Sequence, residues 1–284
     1  IRMLRPLLDV SRAEIEAALA HRRQPFVHDP SNLDPAYARA RVRRLAPALE
    51  AEGLSAARLA ATSARLNRAR HALENAAAGL IAQACAPHPA GFVRLDLDAF
   101  KKAPAEIALR ALARVLLAVS GASYPPRLDA LERLLQGLGE GRGRTLLGLR
   151  LMPWDGAFLV CREATAERIE LGPGETRYWD HRFRFTLAPQ TRRRRGLAAG
   201  TLAAGALGAA GLAALGPAGR GLRTLPRPAL ESLPALFDLD GPLAVPHLHY
   251  CRGCEFDPRW FEAAFRPANG LASYGYAGPA HEAG

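Results

Sequence analysis

Four arginines follow two Asp-Pro steps in the segment from His28 to Arg44, near the start of this sequence. A guanidinium group stays charged at physiological pH and can hold an anionic oxygen pair with two parallel hydrogen bonds. Arg39, Arg41 and Arg43 alternate through the segment. Their type and spacing therefore favour contact with an anionic partner.

A helix should position these arginines. Asp34 can accept hydrogen bonds from the first free N–H groups of a helix, and Pro35 suits its first position. We predict that the helix ends near Leu45, because Pro47 cannot donate the next hydrogen bond. An apolar stripe at helical spacing should dock the helix and leave the arginines exposed beside it; the stripe consists of Ala38, Val42 and Leu45.

A second arginine cluster lies in the glycine-rich sequence Gly139-Glu-Gly-Arg-Gly-Arg144. Glycine lets a backbone approach a phosphate closely, and Arg142 and Arg144 add positive charge beside it. These two arginines are candidate RNA-binding residues. The alternative is an ordinary hairpin loop with solvated charges, and the sequence favours neither interpretation over the other.

A third basic region begins with the aromatic and basic residues 178–186. As a strand, this segment would pack Trp179, Phe183 and Phe185 on one face and present Arg182 and Arg184 on the other. A run of arginines follows this segment; it consists of Arg192, Arg193, Arg194 and Arg195. Together with the basic face of the strand, the run could face RNA. The alternative is a solvated loop.

Periodicity predicts the other elements. Ser11 and Glu14 form a capping-box start for a helix whose buried face is Ile15, Ala18 and Leu19. Residues 47–85 should form a long helix pair with a buried leucine stripe. Further helices are predicted over 104–120, 125–137 and 225–236. Strands are predicted over 91–98 and after the glycine-arginine turn. The Ala/Gly-rich stretch 196–216 should form a turn and a helix.

Cys251 and Cys254 have the spacing of a zinc knuckle, and His247 and His249 lie shortly before them. A structural zinc site needs four ligands, and no second cysteine pair follows. We therefore predict that no metal binds here. The four cysteines of the chain are scattered and form no disulfide framework, which favours a cytoplasmic protein.

The chain of 284 residues carries a net charge of +11 and has a pI near 10.3. This balance favours nucleic acid or another polyanion as the partner. Lysine occurs only at Lys101 and Lys102. Arginine with abundant alanine and glycine also arises from a GC-rich genome, so some arginines are ordinary surface. The apolar stretch 196–216 is rich in glycine, and we predict no membrane span.

Several ordered motifs resemble one family. Arg5-Pro-Leu-Leu8 and Ser11-Arg-Ala-Glu-Ile15 precede Asp29-Pro-Ser-Asn32, Asp34, Tyr37, Arg39 and Arg43 at the spacing of the tRNA(Ile)-lysidine synthases. The glycine-arginine turn with its strands is similar to their first C-terminal domain. The run from Leu233 to His247 is similar to their closing domain, with Phe237 where tryptophan is expected. Ala40 departs from the family pattern, which has asparagine there.

The resemblance implies an α+β, helix-rich fold: the tail of a Rossmann-like α/β nucleotide-binding domain, then a mostly helical domain and a small α/β C-terminal domain. We expect the end of a PP-loop ATPase domain at 1–50, a helical substrate-binding domain at 51–168, a tRNA-binding domain at 169–266 and a flexible tail at 267–284. Because the chain begins with Ile1 directly before Arg-Met-Leu-Arg-Pro, we expect it to be the C-terminal portion of a longer protein.

The resemblance also implies a reaction. These synthases use ATP and Mg²⁺ to adenylate the C2 carbonyl of the wobble cytidine of tRNA(Ile), and the lysine amine then displaces AMP. Arg39, Arg41 and Arg43 would lie at the active-site edge, and no catalytic residue is expected in this chain, which lacks a Ser-Gly-Gly-x-Asp-Ser loop. The residues expected to shape the adjacent loop are Asp29, Asn32, Asp34 and Tyr37.

The same interpretation makes tRNA the partner of the C-terminal regions, which would hold folded RNA by shape and backbone. The residues expected to bind it are Arg142, Arg144, Arg182, Arg184, Arg192, Arg193 and Arg194. Two alternatives stay open: a non-catalytic RNA-binding module, and a dimerisation region whose arginines are surface only. A homodimer is one of the assemblies that the sequence leaves open.

Overall fold

The structure is a computed structural model that describes residues 6–7, 10–27, 34–189, 202–216, 225–253 and 255–271. Helices and strands are mixed, as an α+β fold requires. The chain separates into two compact units, Ile1–Arg68 and Ala69–Gly284. The split falls inside a long helix rather than near residue 50, and the expected domain boundaries at 50, 168 and 266 stay predictions.

The first unit contains α1 (Arg12–His21), α2 (Ala38–Ala51) and the start of α3 (Ala56–Ala84). The capping box of α1 is confirmed: Ser11 Oγ accepts from the Glu14 N–H at 3.2 Å, and Glu14 Oε2 accepts from the Ser11 N–H at 2.7 Å. The predicted end of α2 near Leu45 is wrong, because the helix continues through Pro47. Proline removes one backbone donor, and the rest of the helix retains its own hydrogen bonds.

The predicted buried stripes of the first unit are also wrong. Val42 is 61% exposed and Leu45 57% exposed, whereas Ala40 of the same helix is 4% exposed. Leu59 and Leu66 of α3 are exposed as well. In α1 no described residue is fully buried. Helical spacing therefore identified the helices here but not what covers them.

The second unit begins with the rest of α3, whose Leu80 is buried as predicted. An antiparallel sheet follows in the order β1-β2-β5-β4-β3. Its strands are β1 (Cys85–Pro87), β2 (Val93–Leu95), β3 (Arg144–Leu146), β4 (Leu149–Trp154) and β5 (Ala157–Arg162). Three helices accompany it: α4 (Leu97–Lys102), α5 (Ala105–Ser120) and α6 (Leu128–Gly139).

The two faces of this sheet are covered by different parts of the chain. Phe158 and Val160 of β5 join a core with α5 and α6. Leu159 and Cys161, which point to the opposite face, join a core with α8 (Arg227–Glu231) and later strands. The helices predicted over 104–120 and 125–137 are confirmed within a few residues. The sheet shows that this region is less helical than we expected.

The remaining strands build two antiparallel sheets, in the orders β12-β11-β10-β9-β6 and β13-β8-β7. They share a core that contains Trp179, Phe185 and Leu236. The strands are β6 (Arg168–Glu170), β7 (Thr176–Trp179), β8 (Phe183–Leu187), β9 (Ala203–Ala206), β10 (Pro234–Asp238), β11 (Gly241–Val245), β12 (Tyr250–Cys251) and β13 (Phe261–Phe265). α7 (Gly208–Ala214) lies between β9 and α8.

Three predictions in this region are corrected. The single strand over 178–186 is a hairpin, because Asp180 and His181 take left-handed backbone angles, with φ of 51° and 52°, and reverse the chain. The Ala/Gly-rich stretch contains β9 as well as a helix. The helix predicted over 225–236 is shortened to α8, and β10 follows it. No described helix is long and apolar enough to cross a membrane.

Candidate nucleic-acid interface

A hydrogen-bonded turn precedes the arginines of α2. Asp34 Oδ1 accepts from the Ala36 N–H at 2.9 Å, and the Tyr37 N–H donates to the Asp34 carbonyl at 3.1 Å. Arg41 Nη1 donates to the carbonyls of Pro35 and Ala36 at 2.9 and 2.8 Å. Asp34 therefore orders the turn and does not cap the helix as predicted, since α2 begins at Ala38 with Tyr37 as its cap.

The arginines of this segment differ in what they contact. One nitrogen of Arg41 is committed to the turn, while Arg43 and Tyr37 are exposed. The side chain of Arg39, and all of Asp29 and Asn32, lie outside the described residues. Ala40 is buried. A small apolar side chain fits a buried position without needing a hydrogen-bond partner.

The glycine-arginine loop follows the end of α6. Gly141 has φ of 74° and open space around its Cα hydrogens, so the loop turns through a left-handed residue. Arg142 donates its backbone N–H to the Gly137 carbonyl at 3.1 Å. Its side chain is 67% exposed, with Nη1 at 3.4 Å from Glu140 Oε2. The loop therefore presents Arg142 to solvent from a hydrogen-bonded backbone.

Arg144 begins β3 and lies across Gly137, where any Cβ would overlap its Nε. The residue next to it, Thr145, pairs with Arg150 of β4. Arg144 and Arg150 both line an open groove of about 480 Å³ together with Met152 and Pro228. The structure thus joins a predicted arginine to one that sequence analysis missed. The alternation Leu149-Arg150-Leu151 could have shown that Arg150 lies on the face opposite the two buried leucines.

Arg182 is placed where it cannot contact RNA, and its predicted role is wrong. Its side chain is 1% exposed, and its Nε donates to Asp180 Oδ2 at 2.7 Å. The guanidinium carbon lies 5.3 Å from the Phe183 ring centroid and 5.7 Å from that of Trp179. Burial lowers the pKa of the Arg182 guanidinium, and Asp180 acts in the opposite direction. The β7–β8 turn therefore buries this arginine beside its counter-ion.

Arg162 shares the same carboxylate. Its Nε lies 3.2 Å from Asp180 Oδ2 and its Nη2 lies 3.3 Å from Oδ1. Its Nη1 also donates to the carbonyls of Leu147 and Gly148 at 3.3 and 3.1 Å. We call Arg162, Asp180 and Arg182 the Asp180 joint, because they link the end of β5, the β3–β4 turn and the β7–β8 turn.

Of the other predicted arginines, Arg184 is partly exposed, and the rest lie outside the described residues. Arg184 Nη2 lies 3.7 Å from Glu262 Oε2 across β8 and β13, and its side chain is 36% exposed. Its Nε is buried without a hydrogen-bond partner among the described residues. The run Arg192, Arg193 and Arg194 lies outside the described residues. Arg184 is therefore at most a marginal contact with RNA.

The Cys251 motif lies only in part within the described residues. Among the described residues, no three His, Cys, Asp or Glu side chains gather as a metal ion would require. Cys254 lies outside the described part of the chain. Cys251 is disulfide-bonded, a bond that sequence analysis did not predict, whereas Cys85 and Cys161 are free. Burial raises the pKa of Cys85 to about 12 and that of Cys161 to about 11, so neither is a reactive thiolate at neutral pH.

Comparison with known proteins supports the resemblance. A PP-loop domain family matches residues 1–49. A protein of Methylobacterium nodulans named tRNA(Ile)-lysidine synthase is 41% identical over 165 residues, which is 55% of this chain and 49% of that protein. The protein of the same name from Methylobacterium sp. 4-46 is 46% identical over 136 residues, 47% of this chain and 39% of that protein.

A more distant relative extends the match. The tRNA(Ile)-lysidine synthase of Wolbachia pipientis is 30% identical over 194 residues, which is 66% of this chain and 45% of that protein. The chain thus spans less than half the length of each of these three relatives. The 194 matched residues also reach far beyond the 49 residues of the PP-loop match.

Proposed function

We propose that this chain, a relative of the tRNA(Ile)-lysidine synthases, is the tRNA-binding portion of such an enzyme. The complete enzyme would use ATP and Mg²⁺ to adenylate the C2 carbonyl oxygen of the wobble cytidine of tRNA(Ile) with release of pyrophosphate. The lysine amine would then attack C2 and displace AMP. Ligation of lysine in this way makes the enzyme a carbon–nitrogen ligase. We place the reaction in the cytoplasm, where tRNA is found.

The extent of the similarity carries this proposal. PP-loop domains serve many chemistries, so a match to 1–49 alone indicates nucleotide use and no particular substrate. Similarity over 66% of this chain to a protein named tRNA(Ile)-lysidine synthase extends well beyond the 49 residues of that match. The regions outside the PP-loop domain are the ones to which we assign the tRNA.

The charge and exposure of the chain support that assignment. The net charge is +11, and Arg142, Arg144 and Arg150 occupy one exposed region around the loop and groove. Phosphate contacts of this kind supply affinity without reading sequence. Arg43 and the start of α3 add exposed basic residues in the first unit, including Arg58, Arg65 and Arg68.

The active-site role of the first unit is a separate part of the proposal. We assign Arg39 and Arg43 to the edge of the active site, where they would hold phosphate groups of ATP or tRNA. Arg41 would position the segment through its bonds to the Pro35 and Ala36 carbonyls. Asp34 would order the same turn. No residue of this chain is assigned as acid, base or nucleophile.

The test combines binding with turnover. The isolated chain should bind tRNA(Ile) in fluorescence anisotropy, yet should neither form lysidine nor hydrolyse ATP. In the complete protein, Arg39→Ala and Arg43→Ala should each reduce lysidine formation strongly with an unchanged melting temperature. The control Arg133→Ala, which removes an exposed arginine paired with Asp129, should leave lysidine formation unchanged. Lysidine formed by the isolated chain would place the catalytic site here and overturn the assignment. Failure to bind tRNA would favour surface arginines without function.

A further inference from the structure

A cavity outside the arginine-lined surfaces opens where the first sheet of the second unit meets the segment before β10. Its volume is about 340 Å³, within the range of small-molecule sites. Phe92 and Leu233 contribute buried side chains to it, and His88, Trp154 and His247 contribute aromatic rings. We call this cavity the seam pocket. Its size and its flat rings suit a planar ligand.

The rings of the seam pocket are arranged to pack against a flat partner. The His88 ring is stacked on Phe92, with centroids 4.3 Å apart and planes 6° from parallel. The Ala90 N–H donates to His88 Nδ1 at 3.1 Å, which fixes the imidazole orientation. Trp154 ends β4 and is half-buried. Aromatic faces held in this way form stacking platforms for bases.

The charge of the pocket is confined to one residue. Burial lowers the pKa of His247 to about 4 and also lowers that of His88, so both imidazoles are neutral at pH 7. Among the described residues that line the pocket, Arg94 is the permanent charge. Its Nη2 donates to the Asp155 carbonyl at 2.9 Å and lies 3.9 Å from Asp155 Oδ2, so Asp155 orients the guanidinium. One oriented guanidinium suits one phosphate rather than a triphosphate.

We propose that the seam pocket binds a single unstacked nucleotide of the tRNA, with the base against Trp154 and a neighbouring phosphate on Arg94. Folded RNA offers unpaired bases in loops and at its ends, and proteins recognise them by stacking on aromatic side chains. Free mononucleotide shares this chemistry and is the second possible source. The proposal rests on tRNA being the partner of the chain.

Tryptophan fluorescence reports on this pocket directly. The chain has three tryptophans. Trp179 and Trp260 are 2% and 5% exposed and belong to a different core, whereas Trp154 lines the pocket. A base stacked on Trp154 should quench its emission. The probes are tRNA(Ile), AMP, and an RNA duplex without unpaired bases, each titrated alongside an anisotropy measurement of binding.

Variants separate stacking from charge. Trp154→Ala should weaken tRNA binding at least about fivefold, as expected for the loss of one stacked base. Trp154→Phe keeps a ring, so it should retain affinity within about twofold while losing the quenching signal. Arg94→Gln should weaken binding by about three- to tenfold. Its matched control is Arg133→Gln, which removes an exposed arginine paired with Asp129 at 3.1 Å and should change affinity by less than twofold.

The outcomes separate the pocket from the proposed function. Saturable quenching by tRNA at its binding concentration, with none by the duplex and only weak quenching by AMP, is the expected result. Normal tRNA binding that shows no quenching and is unaffected by Trp154→Ala and Arg94→Gln would overturn the pocket and leave the proposed function standing. Quenching by AMP as strong as that by tRNA would replace tRNA with free nucleotide. No tRNA binding at all would overturn both.

Discussion

The glycine-arginine loop and the Asp180 joint place the same kind of side chain in opposite surroundings. Arg142 is 67% exposed and meets Glu140 at 3.4 Å on the surface. Arg182 is 1% exposed, and Asp180 meets it at 2.7 Å among aromatic rings. The first arrangement leaves a guanidinium ready for an anion from solution. The second satisfies it inside the protein.

The neighbours in the chain account for this difference. Glycines around Arg142 have no side chain that could cover it, so the loop leaves its charge hydrated. Arg182 follows the tight β7–β8 turn, where the Asp180 carboxylate and the rings of Trp179 and Phe183 lie beside its guanidinium. A charged group taken from water must keep a paired and hydrogen-bonded partner, and Asp180 provides it. The Asp180 joint therefore packs its arginines inside the fold, whereas the loop keeps Arg142 exposed to solvent.

The largest expected effect on stability comes from removing the negative charge of Asp180 in the Asp180 joint. Asp180→Asn retains a side chain that tolerates the left-handed backbone of φ 51° but leaves the Arg182 charge without its counter-ion. We expect the free energy of unfolding to fall by about 3–5 kcal/mol in urea denaturation, as for a broken buried ion pair. A loss below about 1 kcal/mol would show that the joint is not what stabilises this part of the fold.

The backbone contact beside the joint gives the next effect. A Cβ on Gly121 would overlap the Asp180 carbonyl oxygen, and Gly121 also has φ of 72°. Gly121→Ala should lower the free energy of unfolding by about 2–4 kcal/mol through strain and overlap together.

The matched control for this change is Gly141→Ala in the loop. Gly141 has a similar φ of 74° and nothing near its missing Cβ, so it tests backbone strain alone. We expect a cost of about 1 kcal/mol there. Equal costs at the two glycines would contradict the close packing that we describe around Asp180.

The stability of the region around the Asp180 joint should also fall at acidic pH because of His247, whose ring centroid lies 6.5 Å from that of Phe183. Burial, with His88 and His249 nearby, lowers the pKa of His247 to about 4 in the folded chain. Between pH 6.5 and 4 the imidazole of His247 is protonated in the unfolded chain but neutral in the folded chain. The contribution of His247 to the free energy of unfolding is therefore complete above pH 6.5 and decreases as the pH falls. The loss should reach about 3 kcal/mol at most by pH 4.

The control for this pH effect is His247→Gln, which removes the titrating group. The difference in unfolding free energy between the unmodified chain and this variant should shrink as the pH falls from 7 to 4. Guanidinium denaturation across that range measures it. A difference that stays constant with pH would mean that His247 titrates normally.

The smallest effect is predicted for the exposed side. Arg142→Ala should change the free energy of unfolding by no more than about 1 kcal/mol, because an exposed ion pair contributes little to stability. Thermal melting of Arg142→Ala and Asp180→Asn in parallel compares the loss of stability at the loop with that at the Asp180 joint, and both sites lie in the second unit. A strongly destabilised Arg142→Ala would make the loop a structural element like the Asp180 joint.

Local chemistry made several elements predictable from the sequence. The Ser11 and Glu14 capping box, and the Gly121 end of α5 with its φ of 72°, depend on residues close in the chain. The glycine-arginine loop and the strands after it follow from turn residues and alternation. The relation to the lysidine synthases was also visible in the ordered motifs from Arg5 to Arg43.

Other features depend on contacts that no periodicity reports. The exposure of Val42 and Leu45 depends on what packs against α2, which helical spacing does not specify. The turn at Asp180 and His181 reverses the chain without any glycine. The alternation of aromatic and basic residues on both sides of it therefore looked like one continuous strand in the sequence. Arg182 was consequently expected on the surface. The pairing of Arg162 with Asp180 joins residues 18 apart and has no sequence signature.

The salt dependence of tRNA binding tests the central claim most directly. The slope of log affinity against log salt should become shallower by roughly 0.7–0.9 for each phosphate contact removed. The triple variant Arg142→Ala, Arg144→Ala and Arg150→Ala should therefore weaken binding and reduce the slope by about two to three. The control Arg133→Ala should leave both unchanged, with all melting temperatures similar. An unchanged slope in the triple variant would contradict the assignment of tRNA to the glycine-arginine loop and its groove.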